Sequence, residues 1–264
     1  MPRLLSIGVR PSAIFVTDTV RSADIRNISP FFIGKGSLVP FAERLLKKSN
    51  AEAEQRRFVP NAKRGELMGV IGLTGGIACG KSLVSSYLKK YSVDIIDADI
   101  ISRRLYVPGS DLLKKIASEF GESFILSDGS LDRSALREYV FSVAERKETL
   151  NKIVHPAIRK AVADDLFTSK KDHQLLVVPL LIETGYVDLC DEIWVMYVDE
   201  ETQKQRLMER DGISEELALS MMKSQMPFDE KKRYADRIIN NCGSVRSTKM
   251  QVKKNFFRFL KNNY

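Results

Sequence analysis

The feature that most narrows what this chain can fold into lies between Gly69 and Tyr91. Gly69-Val70-Ile71-Gly72-Leu73-Thr74 is an apolar run of strand length. It passes directly into Gly75-Gly76-Ile77-Ala78-Cys79-Gly80-Lys81-Ser82. Leu83, Val84, Tyr87, Leu88 and Tyr91 then recur at three- and four-residue steps, which is the period of a helix. A G-x-x-x-x-G-K-S segment between a strand and a helix is the arrangement of a phosphate-binding P-loop. It predicts an α/β chain whose ligands gather at the C-terminal ends of the strands.

Each residue type has a physical reason. Glycines permit a tight loop whose backbone N–H groups converge on phosphate oxygens, and the following helix adds the positive end of its dipole. Gly75, Gly76, Ala78, Cys79, Gly80, Lys81, Ser82 and Leu83 are therefore the candidate nucleotide-binding residues, with Ala78 and Cys79 needing only to stay small. Lys81 would place a cation between the β- and γ-phosphates of ATP, and the Ser82 hydroxyl is the candidate Mg²⁺ ligand. Cys79 sits where the field of a helix end can lower a thiol pKa, although most loop cysteines are incidental.

A P-loop fixes the phosphate donor and leaves the acceptor open. The second apolar segment, Val93-Asp94-Ile95-Ile96, ends in Asp97-Ala98-Asp99. Two carboxylates thus emerge at a strand end, pointing to the same side if the chain stays extended. One could take the proton of an attacking hydroxyl while the other orients the acceptor or holds Mg²⁺ through water. The plainer alternative is that Asp99 caps the helical pattern beginning at Ile100.

Composition removes several classes of function. With 44% apolar and 29% charged residues the chain has the make-up of a soluble globular protein, and no apolar stretch reaches the length of a membrane span. Cys79, Cys190 and Cys242 are too far apart for a metal knuckle or a disulfide framework, which suits a reducing compartment. The net charge of +8 is unevenly placed. Residues 1–67 hold 12 Lys and Arg against 6 Asp and Glu, whereas residues 68–264 hold 30 against 28. A nearly neutral main body argues against nucleic acid as a partner. Proline and short apolar runs without a period mark residues 1–67 as a basic extension, disordered or targeting, with a short helix around Phe41–Lys48, and place a boundary near Met68. Beyond it, alternating strand and helix patterns predict a parallel sheet flanked by helices.

The combined motifs resemble the dephospho-coenzyme A kinase family. Leu73-Thr74-Gly75-Gly76-Ile77 and Ile96-Asp97-Ala98-Asp99-Ile100 carry the likeness. It continues through Arg103 or Arg104, Val107-Pro108-Gly109, His155-Pro156-Ala157-Ile158 and Val178-Pro179-Leu180-Leu181-Ile182-Glu183. Further matches run from Arg206 to Glu216, at Gln225, and from Ala235 to Ser244, so that residues 69–260 are covered. The resemblance implies a P-loop NTPase fold with a helical acceptor-binding cap and a lid, and transfer of the ATP γ-phosphate to the 3′-hydroxyl of dephospho-CoA to give coenzyme A. The alternative is a kinase of the same fold acting on another nucleotide or small metabolite.

On this reading Asp99 is the base, Asp97 and His155 lie in the acceptor site, and Lys81, Arg206 and Arg210 neutralise the transferring phosphate. Arg206 and Arg210 sit one turn apart on a helix predicted from Glu200 to Asp211-Gly212, with the next starting near Ser214, which resembles the lid. Solvated local pairing among Lys204, Arg206, Glu209 and Arg210 would also explain that helix. Asn241 resembles the adenine-side loop. Helices between Asp111 and about Thr168 would form the cap, with Tyr106, Phe120, Tyr139 and Phe141 as apolar contacts or as core. His155 is expected between two helical stretches, Leu150–Val154 and Ala157–Ala163. Glu183, at the end of a strand broken by Pro179, could order a Mg²⁺-bound water. Two departures stand out: Ala78-Cys79 where the family commonly has Gly-Ser, and Met221 near a position where it often has Arg, leaving Arg210 or Lys223 to substitute. The expected working state is a monomer or weak oligomer without membrane contact, in the cytoplasm, or in an organelle if residues 1–67 are a transit peptide.

Overall fold

A computed structural model describes residues 69–262. The basic extension of residues 1–67, its boundary near Met68 and the helix expected at Phe41–Lys48 lie outside the described residues. Five strands, β1 (Gly69–Gly75), β2 (Asp94–Asp97), β3 (His173–Val177), β4 (Glu192–Tyr197) and β5 (Arg237–Asn240), form one parallel sheet in the order β2-β3-β1-β4-β5. β1 lies in the middle, hydrogen-bonded to β3 on one side and β4 on the other, and every one of its residues is buried. That burial on both faces is why its sequence reads as a continuous apolar run.

Helices cover both faces. α1 (Lys81–Leu88) and the C-terminal α9 (Val245–Asn262) pack on one, where Val84, Leu88, Val252, Phe256 and Phe259 meet Ile71, Leu73, Leu175 and Trp194. On the other, α2 (Ala98–Leu105), α3 (Asp111–Phe120), α4 (Arg133–Phe141) and α5 (Ala144–Thr168) build the larger cluster around Val70, Ile96 and Leu176. Between β4 and β5 the chain forms α6 (Glu200–Asp211), α7 (Glu215–Lys223) and the short α8 (Phe228–Lys231). From β1 the chain crosses toward β2, and from β4 it crosses the other way toward β5. The C-terminal ends of these two neighbouring strands are therefore the switch point at which open α/β sheets bind ligands.

One strand ends where its proline indicates, and one helix boundary differs from expectation. β3 ends at Val177, before Pro179, whose missing N–H cannot enter a ladder. The helices expected on either side of His155 are one helix, α5, that runs through Pro156 without interruption. Leu150, Val154, Ile158, Val162 and Leu166 recur at four-residue steps and are all buried, so a continuous apolar seam keeps both halves docked. Phe120, Phe124 and Tyr139 form an aromatic group in this helical layer, and Arg146 lies 3.8 Å above the Tyr139 ring. Proline costs about 3 kcal/mol in a helix interior. Pro156→Ala is therefore expected to raise the unfolding free energy by about 1 to 3 kcal/mol in chemical denaturation; a loss of stability would mean that the proline ring contributes more, by packing and by restricting the unfolded chain, than it costs the helix.

Candidate active site

The loop between β1 and α1 is built by two residues of positive φ. Ala78 has φ 57° and Gly80, the residue preceding α1, has φ 91°. Gly80 is required twice, since a Cβ there would also lie 2.3 Å from the Asn241 amide nitrogen. Ala78 adopts the left-handed region despite its Cβ, at a cost of about 1 to 2 kcal/mol, and such strain concentrates at functional loops. The departure from Gly-Ser noted in the sequence thus falls at a position where glycine would be unstrained.

Lys81 Nζ donates to the carbonyls of Gly75 and Gly76, each at 2.9 Å, so the ammonium lies across the mouth of the loop. Burial lowers its pKa to about 8; the charges of Lys231 and Arg210 act in the same direction and those of Cys79 and Asp99 oppose it. Cys79 is buried, and this burial raises its thiol pKa against the pull of Lys81, Lys231 and Arg206. Burial thus outweighs any lowering by the helix-end field, in line with Cys79 as an incidental loop cysteine. Ser82 is exposed in the first turn of α1.

At the end of β2 the two carboxylates have different work. Asp97, still extended at φ −103°, caps α2: its Oδ1 accepts from the N–H groups of Asp99 at 2.9 Å and Ile100 at 3.3 Å. The helix begins at Ala98, two residues earlier than an Asp99 cap would allow, so the two aspartates do not share an extended strand. Asp99 lies in the first turn, half-buried, and its charge reaches Lys81 across the end of β3.

The predicted lid helices are α6 and α7, with the expected limits. Asp199 caps the first through the Thr202 N–H at 2.8 Å, Gly212 closes it at φ 65°, and Ser214 caps the second. Lys204 joins them through Glu201 and Glu215. Arg206 is half-buried and its charge reaches Cys79. Arg210 is exposed, its charge reaches Lys81, and it makes a two-pronged bond to Asp211 at 2.7 and 2.8 Å. Lys81, Asp99, Arg206 and Arg210 are thus gathered within electrostatic reach of one loop. His155 sits inside α5 beside Pro156, and burial lowers its pKa, leaving a neutral imidazole at pH 7. Asn241, expected in the adenine-side loop, follows the end of β5. It is buried, donates to the Cys79 carbonyl at 2.9 Å and accepts from the Thr248 hydroxyl at 2.8 Å, and so supports the loop from behind.

Three further residues belong to the site that sequence reasoning does not assign to it in these roles. Gln203 and Gln225 bond the two polar groups of Ile77. Lys231, 1% exposed, pairs with Glu183 at 2.8 Å. Glu183, the residue that could order a Mg²⁺-bound water, is thereby engaged by a lysine. A cavity of about 560 Å³ opens beside Gly76 and Cys79 on the β4 side, bounded by Met196, Tyr197, Gln203, Met222, Lys223, Met226 and Phe228. Lys223, one candidate to replace the arginine missing at Met221, is among its walls.

The family model for dephospho-CoA kinase matches residues 69–247. The chain belongs to the dephospho-CoA kinase family. A dephospho-CoA kinase of Symbiobacterium thermophilum is 45% identical over 189 residues, covering 70% of this chain and 79% of that one. One from Carboxydothermus hydrogenoformans is 44% identical over 186 residues, with 69% and 90% covered. Among solved structures, dephospho-CoA kinase from Campylobacter jejuni superposes with a TM-score of 0.57 at 30% identity, over 74% of this chain and 98% of its own. The matched region of the kinase family thus begins where the described residues begin.

The Lys81 pKa yields a test of the loop. A bound triphosphate would keep the ammonium charged, whereas at pH 8 about half of the empty protein has lost that proton. Titration calorimetry of ATP at pH 8 is expected to show uptake of about half a proton, falling toward zero at pH 6.5, with affinity weakening as the pH rises above 8. Binding enthalpies that are equal in buffers of different ionisation enthalpy would contradict this.

Proposed function

We propose that this chain transfers the γ-phosphate of ATP to the 3′-hydroxyl of dephospho-CoA, giving coenzyme A and ADP. The single observation that carries the reading is the placement of Asp99 at the end of β2, charge-coupled to the P-loop lysine, in a chain of the dephospho-CoA kinase family. Donor and acceptor would then sit on opposite sides of the β1 end. The triphosphate is held by N–H groups of the loop that follow Ile77, up to Ser82, with its nucleoside toward the cavity beside β4. The acceptor lies toward β2 and the helical layer of α2 to α5.

Phosphoryl transfer needs an in-line hydroxyl, neutralised phosphate oxygens and little water. Asp99 accepts the proton of the 3′-hydroxyl as the oxygen attacks, and Asp97 fixes the turn that presents it. Lys81 leaves the Gly75 and Gly76 carbonyls for the β- and γ-phosphate oxygens. Arg210 must exchange Asp211 for the phosphate when the lid closes, and Arg206 follows on the same helix face. Closure also keeps water from the γ-phosphate. Mg²⁺ fits here through one hydroxyl, that of exposed Ser82, because this ion is held by few protein oxygens together with phosphates and water. When bound it would neutralise charge on the β- and γ-phosphates. Neutral His155 is placed as an acceptor-site residue on α5. The working chain is taken as a cytoplasmic monomer or weak oligomer, with gel filtration of the full chain as its check.

The test is ADP release from ATP and Mg²⁺ with dephospho-CoA, compared with a panel of nucleoside monophosphates, and product mass. Release with dephospho-CoA alone, and the mass of coenzyme A, is expected; release only with another acceptor would retain the kinase and remove this substrate. A paired substitution separates the carboxylates. Asp99→Asn should lower kcat by about 10³-fold with ATP still bound, since it removes a positioned base. Asp97→Asn should cost little, because Asn caps helices as well as Asp. The reverse pattern would transfer the role of base to Asp97.

A further inference from the structure

Ile77, the third residue of the P-loop, is gripped from both sides by side chains remote in sequence. Its N–H donates to Gln225 Oε1 at 2.7 Å, and its carbonyl accepts from Gln203 Nε2 at 2.9 Å. These bonds span 148 and 126 residues. Gln203 lies in the first turn of α6, and Gln225 just past the end of α7, so the two amides stand at the feet of the helix pair that carries Arg206 and Arg210. The approach is close: a Cβ on Gly76 would come within 2.5 Å of Gln203 Nε2. Gln225 is held in turn, since the next N–H, that of Met226, reaches Glu183 at 3.4 Å, and Glu183 pairs with buried Lys231.

We propose that Gln203 and Gln225 are positioning residues for ATP, which set the two peptide planes flanking Ile77 and so aim the following N–H groups of the loop at the phosphates. Ala78 follows at φ 57°, a strained conformation for a residue with a Cβ, and it persists only where neighbouring bonds determine it. Fixing both polar groups of the preceding residue supplies that determination. The same bonds tie the lid's feet to the loop, so that an ordered loop and a correctly based lid come together. Because the grip acts on the phosphate cradle and not on the β2 side, its loss falls on ATP and spares the acceptor. The inference rests on the reading of the loop as the triphosphate site.

The test uses the full chain with Gln203→Met and Gln225→Met, which keep side-chain length and remove the amide. Each is expected to raise KM for ATP about tenfold, the size of one lost hydrogen bond of about 1.4 kcal/mol, with KM for dephospho-CoA unchanged. The nucleotide-free melting temperature reads general damage separately. Gly76→Ala breaks the Gln203 approach from the opposite side and serves if a glutamine variant fails to fold. Adding Gln203→Met to Gly76→Ala should cost no more than Gly76→Ala alone. An unchanged KM for ATP, equal rises for both substrates, or additive losses in the Gly76–Gln203 pair would overturn the proposal. If the unaltered protein bound no ATP, the reading of the loop would fail instead.

Discussion

The loop after Gly75 can bind a triphosphate only if its backbone N–H groups turn inward, and between Gly76 and Ser82 that turn requires departures from ordinary backbone at Ala78 and Gly80. An alanine in the left-handed region costs about 1 to 2 kcal/mol. Three buried or half-buried side chains oppose that cost: Gln225 and Gln203 at Ile77, and Asn241 at Cys79. At about 1 kcal/mol for each hydrogen bond, the two sides are of comparable size. The loop is thus held by its surroundings as much as by its own sequence. β1 supplies the fixed end, being buried on both faces between β3 and β4.

Charge is the second constraint. Lys81, Lys231, Arg206 and Arg210 converge on one strand end. Their mutual repulsion is relieved in different ways. Lys231 is paired with Glu183 in the interior, where an isolated charge would be expensive. Arg210 is held by Asp211 at the surface, and Lys81 by two carbonyls. The pKa of Lys81 is lowered chiefly by its burial, with Lys231 and Arg210 acting in the same direction. A polyanion entering this site would relieve the repulsion among all four, which is the sense in which the empty site is prepared for one.

The strand, loop and helix around Lys81 are legible in the sequence because local periodicity and glycine spacing specify them, and the parallel sheet follows from the alternation after Met68. The limits of α6 and α7 are legible for the same reason: Asp199, Gly212 and Ser214 are local signals. What the sequence hides is set by distant partners. Nothing local tells which of Asp97 and Asp99 caps a helix, since either residue suits; the choice depends on where β2 releases the chain. Pro156 signals a break that the buried seam from Leu150 to Leu166 overrides. Lys231 lies in the run Asp229-Glu230-Lys231-Lys232-Arg233, where no neighbour distinguishes the one buried lysine from a solvated charge. Gln203 falls on a helix face that reads as polar, and its purpose appears only when β1 and α6 are brought side by side.

The account turns on Asp99 facing the acceptor hydroxyl across the end of β1 from the P-loop. The most direct measurement is a crystal structure of the protein with dephospho-CoA and a non-hydrolysable ATP analogue. The account predicts the ribose 3′-hydroxyl within hydrogen-bond reach of the Asp99 carboxylate and in line with the γ-phosphate, with Lys81 moved from its carbonyls onto the phosphates. A 3′-hydroxyl remote from Asp99, or a triphosphate outside the loop from Gly75 to Ser82, would contradict it.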